Sequence, residues 1–345
     1  MAKSGSGGGR DIAELLSVLP LYAGLTAEEQ AEMASGLRRM TFSDGQELTR
    51  QGGRPDGAYF ILDGKLQVVI KLPGGGETLI AEPGPGAMLG ELALIRSSRR
   101  GATVRATGPV ETLFADRRYF QAALAQLRPA ALKVLHQLAR ILSERLRLLH
   151  GQIRSHVESE AQGTYFRAPP AMPADQSPPP DFPVRPFLPL LPCFRDFDDG
   201  DLDHLVTIAD VETLPRGTSL RLEGDASPAC HVVVRGAVLS GFLHRERLHQ
   251  LNILGPGRFC AVGAVVEGTP SSTSYYCCEN STLLRFEATA FRDLLGGFDQ
   301  MALRLLSAVN EHQALMVTRS GNHLTRLVGL SRLHQQFAAA ADVGA

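Results

Sequence analysis

Short apolar stretches separated by glycine-containing turns dominate the first half of the chain. They predict strands at residues 41–42, 58–62, 66–72, 77–82, 102–107 and 110–115. The intervening turns carry Asp44-Gly45, Gly52-Gly53, Asp63-Gly64 and the glycines at 74–76, which are residue types that favour tight turns. Many short strands joined in this way are typical of a sandwich or jelly roll rather than a parallel sheet. We therefore predict a mainly β fold with flanking helices.

Helical patterns lie on both sides of these strands. Residues 11–19 and 26–37 predict two lead-in helices, the second beginning with Thr26 and Glu29 at the spacing of a capping box. Residues 117–155 predict one long helix with Leu135, Leu142 and Leu149 at sevenfold spacing. This leucine stripe predicts either packing on the helix's own domain or a homodimer, and the sequence leaves both open.

The second half of the chain repeats the first at a constant offset. The pairs Gly45 and Gly217, Gly52 and Gly224, and Gly64 and Gly236 are each 172 positions apart. Between the halves, prolines recur densely from residue 168 to residue 192, and proline disfavours both helices and central strands. The pattern indicates a tandem duplication joined by an extended spacer.

Composition excludes several classes of protein. The net charge of -1 supplies no overall field for coating DNA, and no apolar run is long enough to cross a bilayer. The five cysteines lie in the second half without a C-x-x-C pair, which favours buried free thiols in a reducing compartment over a zinc site. We therefore expect a cytoplasmic protein.

One segment carries candidate chemistry, namely GELALIRSSRRGAT at residues 90–103. It predicts a short helical turn followed by a basic loop, and unpaired amides at a helix start suit a phosphate. An arginine beside such a turn can donate two hydrogen bonds to phosphate oxygens. A carboxylate is repelled by a phosphate, so Glu91 must accept a hydrogen bond from another group of the ligand. A ribose hydroxyl is the obvious donor.

This segment resembles the phosphate-binding cassette of cyclic nucleotide-binding domains. The run Gly90, Glu91, Leu92, Ala93 and Leu94 matches in place, and the family's spacing of nine positions between glutamate and arginine selects Arg100. Leu89 replaces the usual aromatic residue, and Gly101 replaces the small residue that follows the arginine. The resemblance extends over residues 15–150 and implies a jelly-roll barrel in each half of the chain.

The resemblance also implies roles for individual residues. Arg100 would bind the cyclic phosphate, and Glu91 would accept from the ribose 2′-hydroxyl. The predicted ligand set is completed by Gly90, Leu92, Ala93, Gly101 and Ala102. Because Gly101 has no hydroxyl for the guanine amine, we expect cAMP rather than cGMP. Leu149, His150 and Tyr165 are candidates for the lid over the base.

The corresponding segment of the second half lacks these ligands. Depending on the anchor, Ala261 or Val262 stands at the glutamate position, and Ser271 or a neighbour replaces the arginine. Arg258 and Glu267 fit neither role and are interpreted as surface residues. The second domain is therefore predicted to keep the fold and lose the site. His231, His244 and His249 lack convergent spacing, the last two being assigned to a solvated hairpin, so we expect no metal.

These observations predict five segments along the chain. They are a flexible tail at 1–10, a cyclic nucleotide-binding domain with its long C-terminal helix at 11–155, a proline-rich linker at 156–190, a degenerate second domain at 191–320, and a helical or flexible tail at 321–345.

The predicted function is that of a non-catalytic cAMP sensor. Its terminal helix would signal to the degenerate domain or to a protein partner docked there. No nucleophile–base pair, Walker loop or metal motif appears in the sequence, which argues against an enzyme. Two alternatives remain, a transcription factor of the catabolite-activator type and a regulatory subunit of an enzyme. The short stretch after residue 332 and the absence of net positive charge argue against DNA binding.

Overall fold

The computed structural model describes residues 12–71, 76–95, 99–159, 165–167, 182–226, 228–244 and 247–342. The chain divides into two compact units, Met1–Leu138 and Ala139–Ala345, which we call the N-terminal and C-terminal units. The predicted tail at 1–10 and most of the predicted linker lie outside the described residues.

The N-terminal unit is built on one antiparallel sheet. Its strands are β1 (Leu37–Phe42), β2 (Glu47–Thr49), β3 (Gly57–Lys71), β4 (Glu77–Ala81), β5 (Met88–Leu89) and β6 (Thr103–Asp116). The order is β1-β6-β3-β4, with β2 also paired to β6 and β5 to β3. The prediction of separate strands at 58–62 and 66–72, and at 102–107 and 110–115, was wrong. The β3–β6 ladder continues past the turn through register shifts beside Asp63, so each pair of predicted strands is one long strand.

Alternate residues of these strands form the core of the N-terminal unit. Tyr59 and Ile61, Leu66 and Val68, and Val104 and Ala106 belong to one buried apolar cluster. Because side chains along a strand point to opposite faces in turn, this period of two places one face of the sheet in the core.

Helices lie before, within and after this sheet. They are α1 (Ile12–Leu16), α2 (Ala27–Ala34), α3 (Leu92–Ile95), α4 (Arg117–Ala125) and α5 (Pro129–Ser159). The capping box at the start of α2 is confirmed, since Glu29 N donates to Thr26 Oγ1 at 3.3 Å and Thr26 N donates to Glu29 Oε2 at 2.8 Å.

The long helix predicted at 117–155 is two helices. Helix α4 ends at Ala125, and α5 begins at Pro129. Between the two helices, Leu127 adopts a φ of +52°. Proline lacks an amide hydrogen and is well placed in the first turn of a helix but not inside one. The apolar spacing continues across this break, which is why periodicity alone did not reveal it.

The C-terminal unit contains two antiparallel sheets. Its strands are β7 (Tyr165–Arg167), β8 (Asp210–Leu214), β9 (Ser219–Arg221), β10 (Ala229–Arg235), β11 (Val238–His244), β12 (Arg247–Leu254), β13 (Phe259–Cys260), β14 (Ser274–Cys277) and β15 (Ser281–Glu287). One sheet has the order β13-β10-β15-β8 and the other β7-β12-β11-β14-β9. Val233 of the first sheet and Val238 of the second belong to the same buried cluster, so the two sheets share a core in the manner of a sandwich.

The helices of this unit are α6 (Asp199–Ile208), α7 (Val262–Glu267), α8 (Ala288–Leu295) and α9 (Gln300–Asp342). Helix α9 runs through residues 317–332, just before the short stretch after residue 332, without interruption. The predicted proline-rich linker at 156–190 also contains regular structure, because β7 pairs with β12 and residues Arg185–Leu190 form a 3₁₀ helix. Proline at the start of a short helical turn is compatible with this geometry.

Candidate functional site

The cassette of the N-terminal unit is held against the turn at Gly52-Gly53. Gly52 N donates to the carbonyl oxygen of Arg100 at 2.8 Å, and Arg100 N donates to that of Gly53 at 3.0 Å. This reciprocal pair fixes the backbone of Arg100, although 47 residues separate it from Gly53 in sequence. The glycine turn that the sequence marked between two strands therefore positions the cassette arginine.

The side chain of Arg100 is turned into the protein. Its Nη2 donates to Asp56 Oδ1 at 2.5 Å and to the carbonyl oxygen of Gly57 at 2.6 Å, and the guanidinium lies 6.0 Å from the ring centre of Tyr59. Only 9% of the residue is exposed. Sequence reasoning missed Asp56, and the available signal was an acidic residue between the glycine turn and the strand that follows.

Gly90 lies directly against this arginine. Its φ is +77°, in the left-handed region, and a Cβ at this position would overlap Nη1 of Arg100. Glycine therefore meets both a conformational and a steric requirement here. The next residue, Glu91, is 3% exposed, so the structure brings a buried carboxylate and a buried guanidinium to the same turn.

The other predicted ligand residues occupy different environments. Ala93 is buried, Leu92 is half-buried, and Ala102 is half-buried against the apolar core. Gly101 is exposed, with open space around the position of a Cβ. Residues 96–98 between α3 and Arg99 lie outside the described part of the chain.

Side chains of helix α4 form hydrogen bonds to the cassette helix α3. Arg117 Nη1 donates to the carbonyl oxygen of Ala93, and Gln121 Nε2 donates to that of Leu94 at 2.6 Å. Burial lowers the pKa of the Arg117 guanidinium from its usual value. These two side chains donate to carbonyl oxygens of the short helix α3, which would otherwise lack partners. Neither residue was identified from the sequence, because their partners are backbone atoms.

The C-terminal unit repeats the backbone of the cassette without its ligands. Gly224 N donates to the carbonyl oxygen of Ser271 at 2.8 Å, and Ser271 N donates to that of Asp225 at 3.0 Å, which reproduces the pairing around Arg100. Ala261 has a φ of +59° and so stands where Gly90 does, which places Val262 at the glutamate position. The structure therefore aligns Val262 with Glu91 and Ser271 with Arg100, and the loss of the ligand site stays a prediction.

The second half of α5 packs on this degenerate cassette. Ser143 Oγ donates to Gln313 Oε1 at 2.8 Å, and Arg147 Nε donates to Glu267 Oε2 at 3.1 Å. The interpretation of Glu267 as a surface residue was wrong. Its side chain is only 9% exposed, because Arg147 covers it and neutralises its charge.

The leucine stripe is buried within the single chain. Leu135 is 2% exposed and Leu142 is fully buried, whereas Leu149 is half-buried. Leu135 and Leu142 are therefore covered within the chain, which supports the alternative of internal packing for these two leucines.

His150 is buried among residues of the C-terminal unit. It belongs to the C-terminal unit, where Nδ1 lies 3.0 Å from Ser272 Oγ and Nε2 lies 3.4 Å from Ser320 Oγ. Burial lowers the pKa of its imidazole to about 4. Leu149 is in the same unit and Tyr165 begins β7. The lid over the base stays a prediction for these three residues.

His249 is not part of a solvated hairpin, as the sequence had suggested. It is 3% exposed, stacks on Phe242 with ring centres 5.0 Å apart, and its Nε2 lies 3.1 Å from that of His323. His231 is also buried and lies 3.5 Å from a carboxylate oxygen of Glu212. Among the residues that the structure describes, no group of three or more His, Cys, Asp or Glu side chains could hold a metal ion. The side chain of His244 lies outside that part.

Comparison with known proteins identifies the family. The chain matches the cyclic nucleotide-binding domain model twice, over residues 39–127 and 211–297. Since these matches cover about half of the chain, it belongs to the cyclic nucleotide-binding domain family. The predicted tandem arrangement, with jelly-roll-like sheets and flanking helices in each match, is confirmed.

Individual relatives cover one part of the chain each. The cAMP-dependent protein kinase type II regulatory subunit of Drosophila melanogaster is 35% identical over 112 residues, which are 32% of this chain and 29% of that protein. The cyclic AMP receptor protein of Thermus thermophilus is 31% identical over 128 residues, 37% of this chain and 57% of that protein. This chain thus spans less than two thirds of the length of either relative.

Among solved structures, a cyclic nucleotide-binding domain from Methylobacillus flagellatus is 26% identical, covering 44% of this chain and 85% of its own, with a TM-score of 0.38. The cAMP-bound regulatory domain of Toxoplasma gondii PKA is 16% identical, covering 84% of this chain and 92% of its own, with a TM-score of 0.31.

Within the described residues, no helix is both long and apolar enough to span a membrane.

Proposed function

We propose that the N-terminal unit binds cAMP without transforming it and that the chain is a sensor. The observation that carries this proposal is the buried guanidinium of Arg100 held beside Gly90 and the buried Glu91. In this arrangement Arg100 binds the cyclic phosphate through charge-assisted hydrogen bonds, which contribute about 1.5–3 kcal/mol. Glu91 accepts from the ribose 2′-hydroxyl, and the missing side chain of Gly90 lets the backbone approach the ligand.

The residues after Arg100 support cAMP over cGMP. Gly101 offers no hydroxyl for the guanine amine. The nearest hydroxyl further along the chain belongs to Thr103, which is 1% exposed and whose Oγ1 accepts from Gln51 N at 3.0 Å. Thr103 is the first residue of β6, in agreement with its interpretation as a strand residue.

The contacts of α4 and α5 support a route for the signal. A movement of the cassette displaces the carbonyls of Ala93 and Leu94, which Arg117 and Gln121 of α4 hold. Helix α5 follows α4 after three residues and continues as one helix into the C-terminal unit. There it holds the degenerate cassette at Glu267, which makes the C-terminal unit the receiver of the signal. The size of any shift is limited by the difference in ligand affinity between the two states.

Titration calorimetry tests the binding step. We expect one site per chain for cAMP, weaker binding of cGMP, and none of cyclic dinucleotides. Arg100→Ala should weaken cAMP binding roughly 10- to 150-fold. The matched control is Arg99→Ala, because Arg99 is exposed and donates to the carbonyl oxygen of Gly52 rather than pointing inward. Unchanged affinity in Arg100→Ala, or two cAMP sites per chain, would contradict the proposal.

Hydrogen exchange tests the relay. Addition of cAMP should change amide exchange along residues 139–159 of the parent chain. In Gln121→Ala the ligand should still bind while this change is reduced, because the contact to the Leu94 carbonyl is lost. Gln137→Ala, which removes an exposed contact to the carbonyl oxygen of Ala23, serves as the control. The relay is refuted if cAMP binds and exchange along α5 stays the same.

The regulatory relatives support a protein partner as the final receiver, docked on the C-terminal unit. For the alternative of a transcription factor, the net charge of -1 and the unbroken helix α9 weigh against DNA binding. A gel-shift assay with cAMP present distinguishes the two, since we expect no retarded DNA. For the alternative of an enzyme's regulatory subunit, the partner captured in the presence or absence of cAMP would be the enzyme itself.

A further inference from the structure

Four side chains on the second half of α5 contact the degenerate cassette, which comprises residues 261–272. Ser143, Leu146, Arg147 and His150 follow one another at the spacing i, i+3, i+4 and i+7, which places them on one face of the helix. We call these four residues the docking face. Its two small polar members, Ser143 and His150, are 4% and 7% exposed. Buried polar groups need hydrogen-bonding partners, so their partners identify what this face binds.

The docking face meets both ends of the cassette helix α7. Near its start, a Cβ at Gly263 would lie 3.5 Å from Oγ of Ser143, which leaves room only for a small residue. At its end, Nε of Arg147 donates to Glu267 Oε2 at 3.1 Å. Gly263 follows Val262 at the glutamate position, so it aligns with Leu92 of the predicted ligand set.

The loop after α7 is contacted by His150. Nδ1 of His150 lies 3.0 Å from Ser272 Oγ. Ser271 aligns with Arg100 through its backbone pairing with a glycine turn, so Ser272 aligns with Gly101. The docking face therefore reaches the degenerate cassette at two positions whose counterparts in the N-terminal unit are predicted to contact the ligand.

The space between the docking face and the sheet is almost filled. Leu146 and His150 line an enclosed cavity together with Ala261 and Val262, which stand at the glycine and glutamate positions of the cassette. Side chains of α9 and of the five-stranded sheet complete the lining. The cavity has a volume of about 30 Å³, enough for about two water molecules. Helices α5 and α9 thus occupy the room beside the cassette.

The degenerate cassette also keeps a strained turn. Ala261 has a φ of +59°, which is unfavourable for an L-residue with a Cβ. Such a conformation persists where the surrounding contacts hold it. Helix α5 supplies contacts directly after this turn, at Gly263 and Glu267.

We propose that the degenerate cassette is a binding site for a helix and that α5 of the same chain is its occupant. Ser143 and His150 make contacts at ligand-set positions, and Arg147 adds an ion pair. The C-terminal unit therefore responds to the position of α5 rather than to a nucleotide of its own. This inference rests on the proposed function, because cAMP bound to the N-terminal unit is what moves α5 and so changes its docking.

A disulfide that locks α5 on the cassette tests the inference in the full chain. A Cβ at Gly263 would lie 3.6 Å from Cβ of Ser143, within the range that a disulfide requires. The chain that carries both Ser143→Cys and Gly263→Cys should form this bridge on mild oxidation while folded, which peptide mapping detects. The chains with one of the two substitutions are the matched controls and should not form it. Failure of the folded double variant to form the bridge would overturn the inference.

Calorimetry with cAMP then compares the oxidised and reduced double variant. Because the coupling between two sites is reciprocal, fixing the helix should change the cAMP affinity about fivefold or more, and reduction should restore it. Tighter binding after oxidation would mean that cAMP favours the docked helix, and weaker binding that it favours the released one. Equal affinities would overturn the inference while cAMP binding stands. Absence of cAMP binding from the parent chain would instead refute the proposed function, and this inference with it.

A second measurement does not depend on the bridge. Addition of cAMP to the parent chain should change hydrogen exchange along the degenerate cassette. Arg147→Gln removes the ion pair with Glu267 and should reduce this change, whereas Arg140→Gln, at an exposed position of the same helix, should leave it intact. The inference is wrong if the cassette of the parent chain does not respond to bound cAMP, or if the two variants respond equally.

Discussion

Replacing Gly90 by alanine is a direct test of how the N-terminal site is built. The residue has a φ of +77°, and a Cβ there would overlap Nη1 of Arg100. The substitution holds an L-residue in the left-handed region, which costs about 1–2 kcal/mol of stability. It also displaces the guanidinium from the carbonyl oxygen of Gly57, where Nη2 now donates at 2.6 Å.

The second effect sets the expected loss of affinity. If the displaced guanidinium loses its charge-assisted hydrogen bonds to the cyclic phosphate, binding weakens by about 1.5–3 kcal/mol, or roughly 10- to 150-fold. Gly86→Ala is the matched control, because Gly86 has a φ of +86° and no atom lies within 4 Å of a Cβ at that position. The two variants should lose similar stability, while only Gly90→Ala should lose affinity.

Urea unfolding measures the stability of both variants, and calorimetry measures their cAMP affinity. Equal affinities of folded Gly90→Ala and Gly86→Ala would show that Arg100 does not reach the ligand from its position beside Gly90. Equal losses of affinity in both variants would point to a general effect of the left-handed conformation instead. Either result would refute the reasoning.

Three other predictions follow from the same contacts. Asp56→Asn removes the carboxylate whose oxygen lies 2.5 Å from Nη2 of Arg100. Because that carboxylate is 60% exposed, we expect cAMP affinity to fall about fivefold at most, or roughly 1 kcal/mol. Calorimetry that shows no change would mean that Asp56 does not position the guanidinium. Leu142→Ala should cost about 2–5 kcal/mol in urea unfolding because Leu142 is fully buried, whereas exposed Leu148→Ala on the same helix should cost within about 0.5 kcal/mol; similar costs would contradict burial of the stripe within one chain. Burial lowers the pKa of the His150 imidazole to about 4 in the folded chain. Between pH 6.5 and 4 this imidazole is therefore protonated in the unfolded chain and neutral in the folded chain. The stability is therefore complete above pH 6.5 and is lost as the pH falls towards 4, on the order of 2 kcal/mol by pH 5; His150→Gln should flatten this dependence in thermal melts, and an unchanged slope would contradict it.

Much of the N-terminal site was readable from the sequence because its elements are local. The spacing of Glu91 and Arg100, the turn at Gly52-Gly53 and the capping box of α2 each depend on residues close together in the chain. Asp56 was missed because its role depends on Arg100, 44 residues away, and only the pairing of strands brings the two together.

The errors in the fold have a common physical cause. Periodicity reports which positions are apolar, and it continues through the break at Leu127 and across the turn beside Asp63. Where a helix or strand begins and ends depends on hydrogen bonds made with distant segments, such as the β3–β6 ladder. The sequence likewise could not show whether the leucine stripe packs within the chain, because the burial of Leu142 depends on what lies opposite it.

The amino-acid sequence by itself determined the duplication, the mainly β character of both halves, and the presence of cassette ligands in one half and their absence from the other. These properties reside in residue types at fixed spacing. Only the tertiary structure decided that the guanidinium of Arg100 turns inward and donates to Asp56 and to the carbonyl oxygen of Gly57. Strand register and side-chain direction place such groups together, and neither is encoded in the distance between residues along the chain.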